Sequence, residues 1–483
     1  YDYDPAGHLL TATNPHADLT FTWDSTGNQL SESLKLKDPA FAGLGPKQLT
    51  RTYDLANRPV TLGMPGGLPN LTRIYDAGDR LTGLAVDGTT LWQASYDGGR
   101  LTAVNRANGL ATTFAYTADG EPTGIATGVP AGDGTIADPI HTLTLTWSHD
   151  HLRRTKQRQD AEALLYAFHY DQVGHLESLP NEPRYPAVRR DRPDLAPALP
   201  SLPRPTAMTE DWEVDPVDEL TKRDRVELGH DEPTAFTHNA LHQVTARTGS
   251  VPASYTWDVN GNLRTRTGGP YGDAAFSHDW RDRLTVVQQG TTTTNIVLDP
   301  LGRMVGKVKH TPDGDVARAY LHDGDQVVLE YVQKAGSSTW QPERRHIWAR
   351  WIDDLAVEQV DTDGDGTLET TLYPVTDLLG SVQLLTDDAG APVERITYDP
   401  DGTPHFWSAD TTRPSVTRIA WTGDGSMPTG DTITAQAFEI GLSEPIDPAS
   451  AANATATLTP DGGDPVALTL TLAADGRAVV RKK

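Results

Sequence analysis

Tyr3-Asp4-Pro5-Ala6-Gly7-His8-Leu9 stands near the start of the chain, and its grammar returns in Trp23-Asp24-Ser25-Thr26-Gly27-Asn28-Gln29-Leu30. It returns again in Trp257-Asp258-Val259-Asn260-Gly261-Asn262-Leu263 and in Tyr398-Asp399-Pro400-Asp401-Gly402. The elements are an aromatic residue, an aspartate, spacers, a glycine, a polar residue and an aliphatic one. Further copies begin at Tyr53-Asp54, Tyr75-Asp76, Tyr96-Asp97 and Tyr170-Asp171, the last running to Gly174. Three of these reach an arginine before Leu or Pro: Arg58-Pro59, Arg80-Leu81 and Arg100-Leu101. Weaker copies lie at Tyr116, Trp147, Val214-Asp215, His238-Asn239, His278-Asp279 and Leu298-Asp299. A fixed phrase at a period of roughly 20 residues marks a repeat architecture.

Each part of the phrase has a mechanical reading. Alternation precedes it, as in Thr112-Thr113-Phe114-Ala115-Tyr116, and period two is a strand with one buried face. The aromatic closes that strand and covers its neighbours. The aspartate bonds backbone groups ahead of it and starts a turn. The glycine supplies positive φ, and the aliphatic residue re-enters a strand. One repeat is a hairpin that cannot bury its own face, so many must stack. The expected fold class is all-β: a coiled β-sheet repeat shell of such hairpins, followed by a small Ig-like β-sandwich.

Bulk composition agrees. The chain has 483 residues, 43 Gly, 35 Pro and no Cys, with 37% hydrophobic residues. That mixture favours short strands and turns over long helices. The formal net charge of −25 disfavours broad nucleic-acid binding. Without cysteine there is no disulfide framework and no thiolate metal site. No stretch approaches the length of a membrane span. The chain enters mid-phrase without an initiator methionine, so a fragment of a longer protein is expected.

The serial phrase resembles the YD repeat of the Rhs family, related to teneurins and to the cocoon subunits of bacterial Tc toxins. The likeness covers most of residues 1–404. The stretch from Arg345 to Gly402 resembles the Rhs-repeat-associated core: it holds Trp348-Ala349-Arg350-Trp351, Asp361-Thr362-Asp363-Gly364-Asp365-Gly366, Asp377-Leu378-Leu379-Gly380 and the last phrase. The resemblance implies a large hollow spiral of strands that encloses a C-terminal cargo or serves in surface adhesion. It also implies, in toxin-bearing relatives, aspartate-dependent self-cleavage at Asp-Pro-x-Gly-Leu. Here Asp399-Pro400-Asp401-Gly402 is followed by Thr403.

The organisation expected is repeat shell over 1–180 and 227–344, core over 345–404, and a sandwich over 413–483. Between them, 181–226 is dense in proline and arginine and is expected to be a surface insertion, or a partner-docking segment in polyproline form. The phrase Phe438-Glu439-Ile440-Gly441-Leu442-Ser443-Glu444-Pro445 is similar to one in bacterial Ig-like domains of surface proteins.

Candidate chemistry is sparse, and no catalytic residues are expected. Asp361, Asp363 and Asp365 alternate before a glycine, as where an EF-hand loop begins to wrap calcium. Leu372, not Glu, stands at the twelfth position and Glu369 at the ninth, so a plain solvated turn is the leading reading and a calcium loop the alternative. His149 and His151 occupy a degenerate phrase. Asp353-Asp354 are neighbours, and neighbours on one strand point to opposite faces. The repeated Tyr and Trp read as packing anchors, or as a carbohydrate-binding surface. No cofactor other than calcium is implied. The leading expectation is a non-enzymatic, secreted or surface-exposed bacterial shell whose partner is its own C-terminal cargo. The rivals are an adhesin or cell-wall scaffold that binds a carbohydrate or protein, and a self-cleaving aspartyl autoprotease of the core.

Overall fold

The computed structural model describes residues 1–147, 155–160, 165–168, 188–191, 208–215, 219–227, 230–249, 251–351, 353–378 and 380–398, with strands at 404–408, 416–421, 438–442, 456–458, 466–472 and 478–482. The copy at Tyr170, Asp171 and Gly174 lies outside the described residues. So do His149, His151, Asp399 and Gly402.

The chain divides into two units, one of residues 1–199 and 206–405, the other of 200–205 and 406–483. The first is built on antiparallel pairing of strands that follow one another in sequence. Ala17–Trp23 pairs with Gln29–Leu36, which pairs with Lys47–Tyr53, and so on through Leu71–Tyr75 and Leu81–Val86. The same succession runs from Thr292–Leu298 to Pro392–Tyr398. The all-β expectation is met; single 3-10 turns occur at Pro39–Phe41 and Pro65–Gly67.

Alternation decides which face is buried. In Ala17–Trp23 the residues Ala17, Leu19 and Phe21 are buried while Thr20 and Thr22 are exposed. Burying a side chain such as Leu19, Leu49, Leu62 or Leu84 stabilises the fold by about 1.5–3 kcal/mol. These leucines share one core with Val305, Leu329, Ile347 and Val357, far away in sequence. The sheet therefore comes back on itself, residues 1–110 packing on 297–390.

Polar contacts fix that return. The Tyr1 hydroxyl donates to the Pro300 carbonyl at 2.6 Å, and Asn14 Nδ2 to the Leu298 carbonyl at 2.9 Å. Arg51 and Arg73 both reach the Asp323 carboxylate at 2.8 Å. Farther along, Asn108 Nδ2 donates to Thr386 Oγ1 at 3.0 Å. Phe41 from the first 3-10 turn lies against Gly306, where an added Cβ would sit 2.5 Å from Phe41 Cζ. Only glycine admits the ring there.

One expectation needs correction. Within 181–226 the strands Val188–Asp191, Met208–Val214 and Leu220–Glu227 pair in register with their neighbours. These strands extend the sheet. In the second unit the described strands form one antiparallel sheet in the order Val416–Trp421, Phe438–Leu442, Ala478–Lys482, Val466–Leu472, Ala456–Leu458.

Candidate functional site

The repeat phrase closes one end of successive hairpins, and its geometry is best seen at Asp76. Its N–H donates to the Arg80 carbonyl at 3.0 Å, and its own carbonyl accepts from Asp79 N at 3.3 Å. Its Oδ1 accepts from the N–H groups of Gly78 at 2.8 Å and Arg80 at 3.0 Å. Its Oδ2 accepts from Arg80 Nε at 2.7 Å. Asp79 takes positive φ, 64°, where other copies have Gly7, Gly27 or Gly261.

The clamp on the second oxygen varies in type but not in place. It is His8 Nδ1 on Asp4 at 2.8 Å, Asn28 on Asp24 at 2.9 Å, and Arg58 on Asp54 at 2.6 Å. It is Asn262 on Asp258 at 3.0 Å and Arg303 on the fully buried Asp299 at 2.7 Å. The pattern in the sequence was visible as "polar residue"; its role as a clamp was not. These bonds favour the charged form of Asp4, Asp24, Asp54 and Asp258. The Arg283 guanidinium on Asp279 lowers that carboxyl to about 2. Backbone N–H groups of Asn28, Arg80 and Asn262 likewise lead in lowering Asp24, Asp76 and Asp258.

The aromatic ties each repeat to the one before. Trp23 Nε1 donates to the Leu9 carbonyl at 2.8 Å, Tyr53 OH to Gln29 at 2.9 Å, and Tyr75 OH to Pro59 at 3.1 Å. Tyr96, Trp257, Trp348 and Tyr398 make the same bond to Leu81, Val244, Val327 and Val382. Tyr3 is exposed at the chain start. The clamping side chain then stacks on the next aromatic. His8 lies parallel to Trp23 at 5.1 Å, Arg58 stands over Tyr75 at 5.0 Å and Arg80 over Tyr96 at 4.8 Å.

The Tyr96 copy departs from this. Asp97-Gly98-Gly99-Arg100 is one residue shorter than Asp76–Arg80. Asp97 and Arg100 instead face each other as the last ladder pair, and Gly98 and Gly99 make the turn at φ 54° and 92°. The expectation that Asp97 starts a turn as the others do fails for this reason. Arg100 is exposed and stands 6.0 Å from the Tyr116 ring centre.

This turn borders a cleft of about 570 Å³ within the first unit. One wall carries Arg80, Tyr96, Arg100 and Tyr116; the other carries Arg350 and Trp351. Burial pushes the Tyr96 and Tyr116 phenols up, so both stay protonated donors at neutral pH. Arg350 lies over the half-exposed Trp351 ring at 4.0 Å while its Nε holds Asp354 at 2.7 Å. Asp354 is buried on that arginine and Asp353 is exposed at φ 66°, so they share no proton.

The acidic loop lies at the opposite end of the hairpins. Oxygen atoms of Asp361, Asp363, Asp365 and Glu369 lie within 4.8 Å of one another. Asp361 accepts from the N–H groups of Gly364 at 2.5 Å and Gly366 at 2.9 Å, so it organises the loop. Glu369 accepts from Thr362, which lowers its carboxyl. Asp363 and Asp365 are exposed. Sequence alone marked the three aspartates; Glu369 joins them through the bend of the loop.

No protein-family model and no curated protein matches the chain. Solved structures do. The crystal structure of TcdB2-TccC3-TEV aligns with a TM-score of 0.64 and 16% identity over 83% of this chain and 21% of that one. A Photorhabdus luminescens Tc holotoxin pore with a TccC3 mutation aligns with 0.60 and 15% over 83% and 20%. TcdB2-TccC3 gives 0.60 and 15% over 83% and 21%. The chain spans about one fifth of these chains and shares their fold.

Proposed function

We propose that this chain is part of a non-enzymatic Rhs-type β-shell, secreted or displayed on a bacterial surface, that encloses or presents a cargo borne C-terminal to it. The observation that carries this reading is the return of the sheet on itself, residues 1–110 sealed on 297–390 by Asn14, Arg51, Arg73 and Asn108. A wall built from short, mutually stapled hairpins is suited to enclosure. The likeness to Tc toxin chains supports it. Electron microscopy of the full-length protein should show hollow particles, with cargo resistant to added protease. Solid particles with freely cleaved cargo would overturn the reading. Because Thr403 follows Gly402, mass spectrometry is expected to find that protein unbroken at this point; two fragments would favour the self-cleaving alternative.

A second reading, display with ligand binding, is favoured by the cleft at Arg100. The Ig-like resemblance of the C-terminal unit belongs to it. Calcium is the ion suited to Asp361, Asp363, Asp365 and Glu369, an all-oxygen donor set. Calorimetry should then register one site that Asp363→Ala removes; a flat titration of the parent protein would exclude it.

A further inference from the structure

We propose that the cleft beside Arg100 binds a carboxylated sugar unit of a glycan, with Arg100 holding the carboxylate and Trp351 and Tyr116 supplying the ring faces. This rests on the display reading and names its ligand class.

Four observations lead there. First, the arginine is released from one of the two duties its equivalents perform: it keeps its place over the next aromatic, Tyr116, but binds no aspartate of its own turn. Arg58, Arg80, Arg283 and Arg303 are each bound to the aspartate of their own turn. The one-residue deletion at Asp97–Arg100 removes that geometry, and among the described residues Arg100 has no ion-pair partner. A guanidinium offers paired donors matched to a carboxylate.

Second, the walls suit a ring. Trp351 is 51% exposed even with Arg350 over its ring at 4.0 Å, so the indole keeps apolar surface open at the cleft. Third, a volume of about 570 Å³ lies within the usual span for small-molecule sites. Asp79 at the rim, ion-paired with Arg58 but with most of its side chain in solvent, has acceptor capacity left for hydroxyl groups. Fourth, the net charge of −25 repels long polyanions, which favours a glycan with isolated carboxylates over nucleic acid or a densely sulfated polymer.

The test uses the whole chain and two probes in calorimetry: a hyaluronan tetrasaccharide, which carries glucuronate, and neutral chitotetraose. The tetrasaccharide is expected to bind with a dissociation constant on the order of 0.1–1 mM. Chitotetraose should bind at least tenfold more weakly. Arg100→Gln should weaken the tetrasaccharide at least tenfold with an unchanged melting temperature, and Trp351→Ala should weaken it severalfold. Because Arg100 is exposed and, among the described residues, outside any ion pair, its variant should fold even if the tryptophan variant does not. Unchanged binding by Arg100→Gln overturns the inference. Equal or preferential binding of chitotetraose overturns it while leaving the display reading standing. Binding of neither probe overturns the inference and removes support from the display reading as well.

Discussion

At Tyr75–Leu81 the loop Asp76–Arg80 wraps around a carboxylate; at Tyr96–Leu101 the loop is one residue shorter and wraps around nothing. Both copies keep the tyrosine bond to the preceding repeat, from Tyr75 to Pro59 and from Tyr96 to Leu81. Both keep the register shift beside the aromatic. The comparison separates two jobs that the phrase usually combines. The aromatic staples neighbouring hairpins whatever the loop does. The aspartate and its clamp hold a loop of one particular length, and when that length changes the arginine becomes available for other work.

Removing the clamp where it is most buried should break the scheme most severely. Asp299 is fully buried, and its partner Arg303 also reaches Glu32 across the return of the sheet. Asp299→Ala should cost about 3–5 kcal/mol in urea unfolding, because it breaks a buried ion pair and takes the acceptor from the Arg303 N–H. A cost under about 1 kcal/mol would mean that the turn does not need its carboxylate. At the half-exposed Arg80, Arg80→Gln should cost no more than about 1 kcal/mol, as surface ion pairs do. Arg100→Gln, by contrast, should stay within about 0.5 kcal/mol of the parent. If Arg80 and Arg100 variants lost equal stability, the contrast between the two turns would fail.

Acid sharpens the same contrast. The phrase aspartates Asp54, Asp76 and Asp279 have lowered folded-state pKa values. Their stabilisation is therefore complete above the unfolded value of about 4 and is lost as pH falls through the folded value. The unfolding midpoint should drop between about pH 4 and pH 2, and Asp279→Asn should flatten that drop. A midpoint equally steep in the variant would place the acid sensitivity elsewhere.

Much of this was legible in the sequence, for a physical reason. Strand alternation, the aromatic at the strand end, the aspartate and the positive-φ glycine act on residues a few places apart, so Tyr3-Asp4-Gly7 and Trp257-Asp258-Gly261 read as turns directly. Two things were not legible. Contacts such as Arg51 with Asp323 join residues far apart in the chain, and no local pattern announces them. The cleft depends on the same return of the sheet, which brings Trp351 opposite Arg100. The missing residue in Asp97-Gly98-Gly99-Arg100 was on the page, but its consequence needed the clamp geometry of the other copies. Proline density misled in 181–226, where strands such as Met208–Val214 and Leu220–Glu227 pair with their neighbours.

The claim beneath all of this is that the phrase aspartates serve backbone geometry. The most direct test is a pH titration of the Asp279 carboxyl carbon by NMR in the folded protein. The bonds from Arg283 and from the turn N–H groups predict a midpoint at about 2. A midpoint at the ordinary aspartate value, about 4, would contradict it.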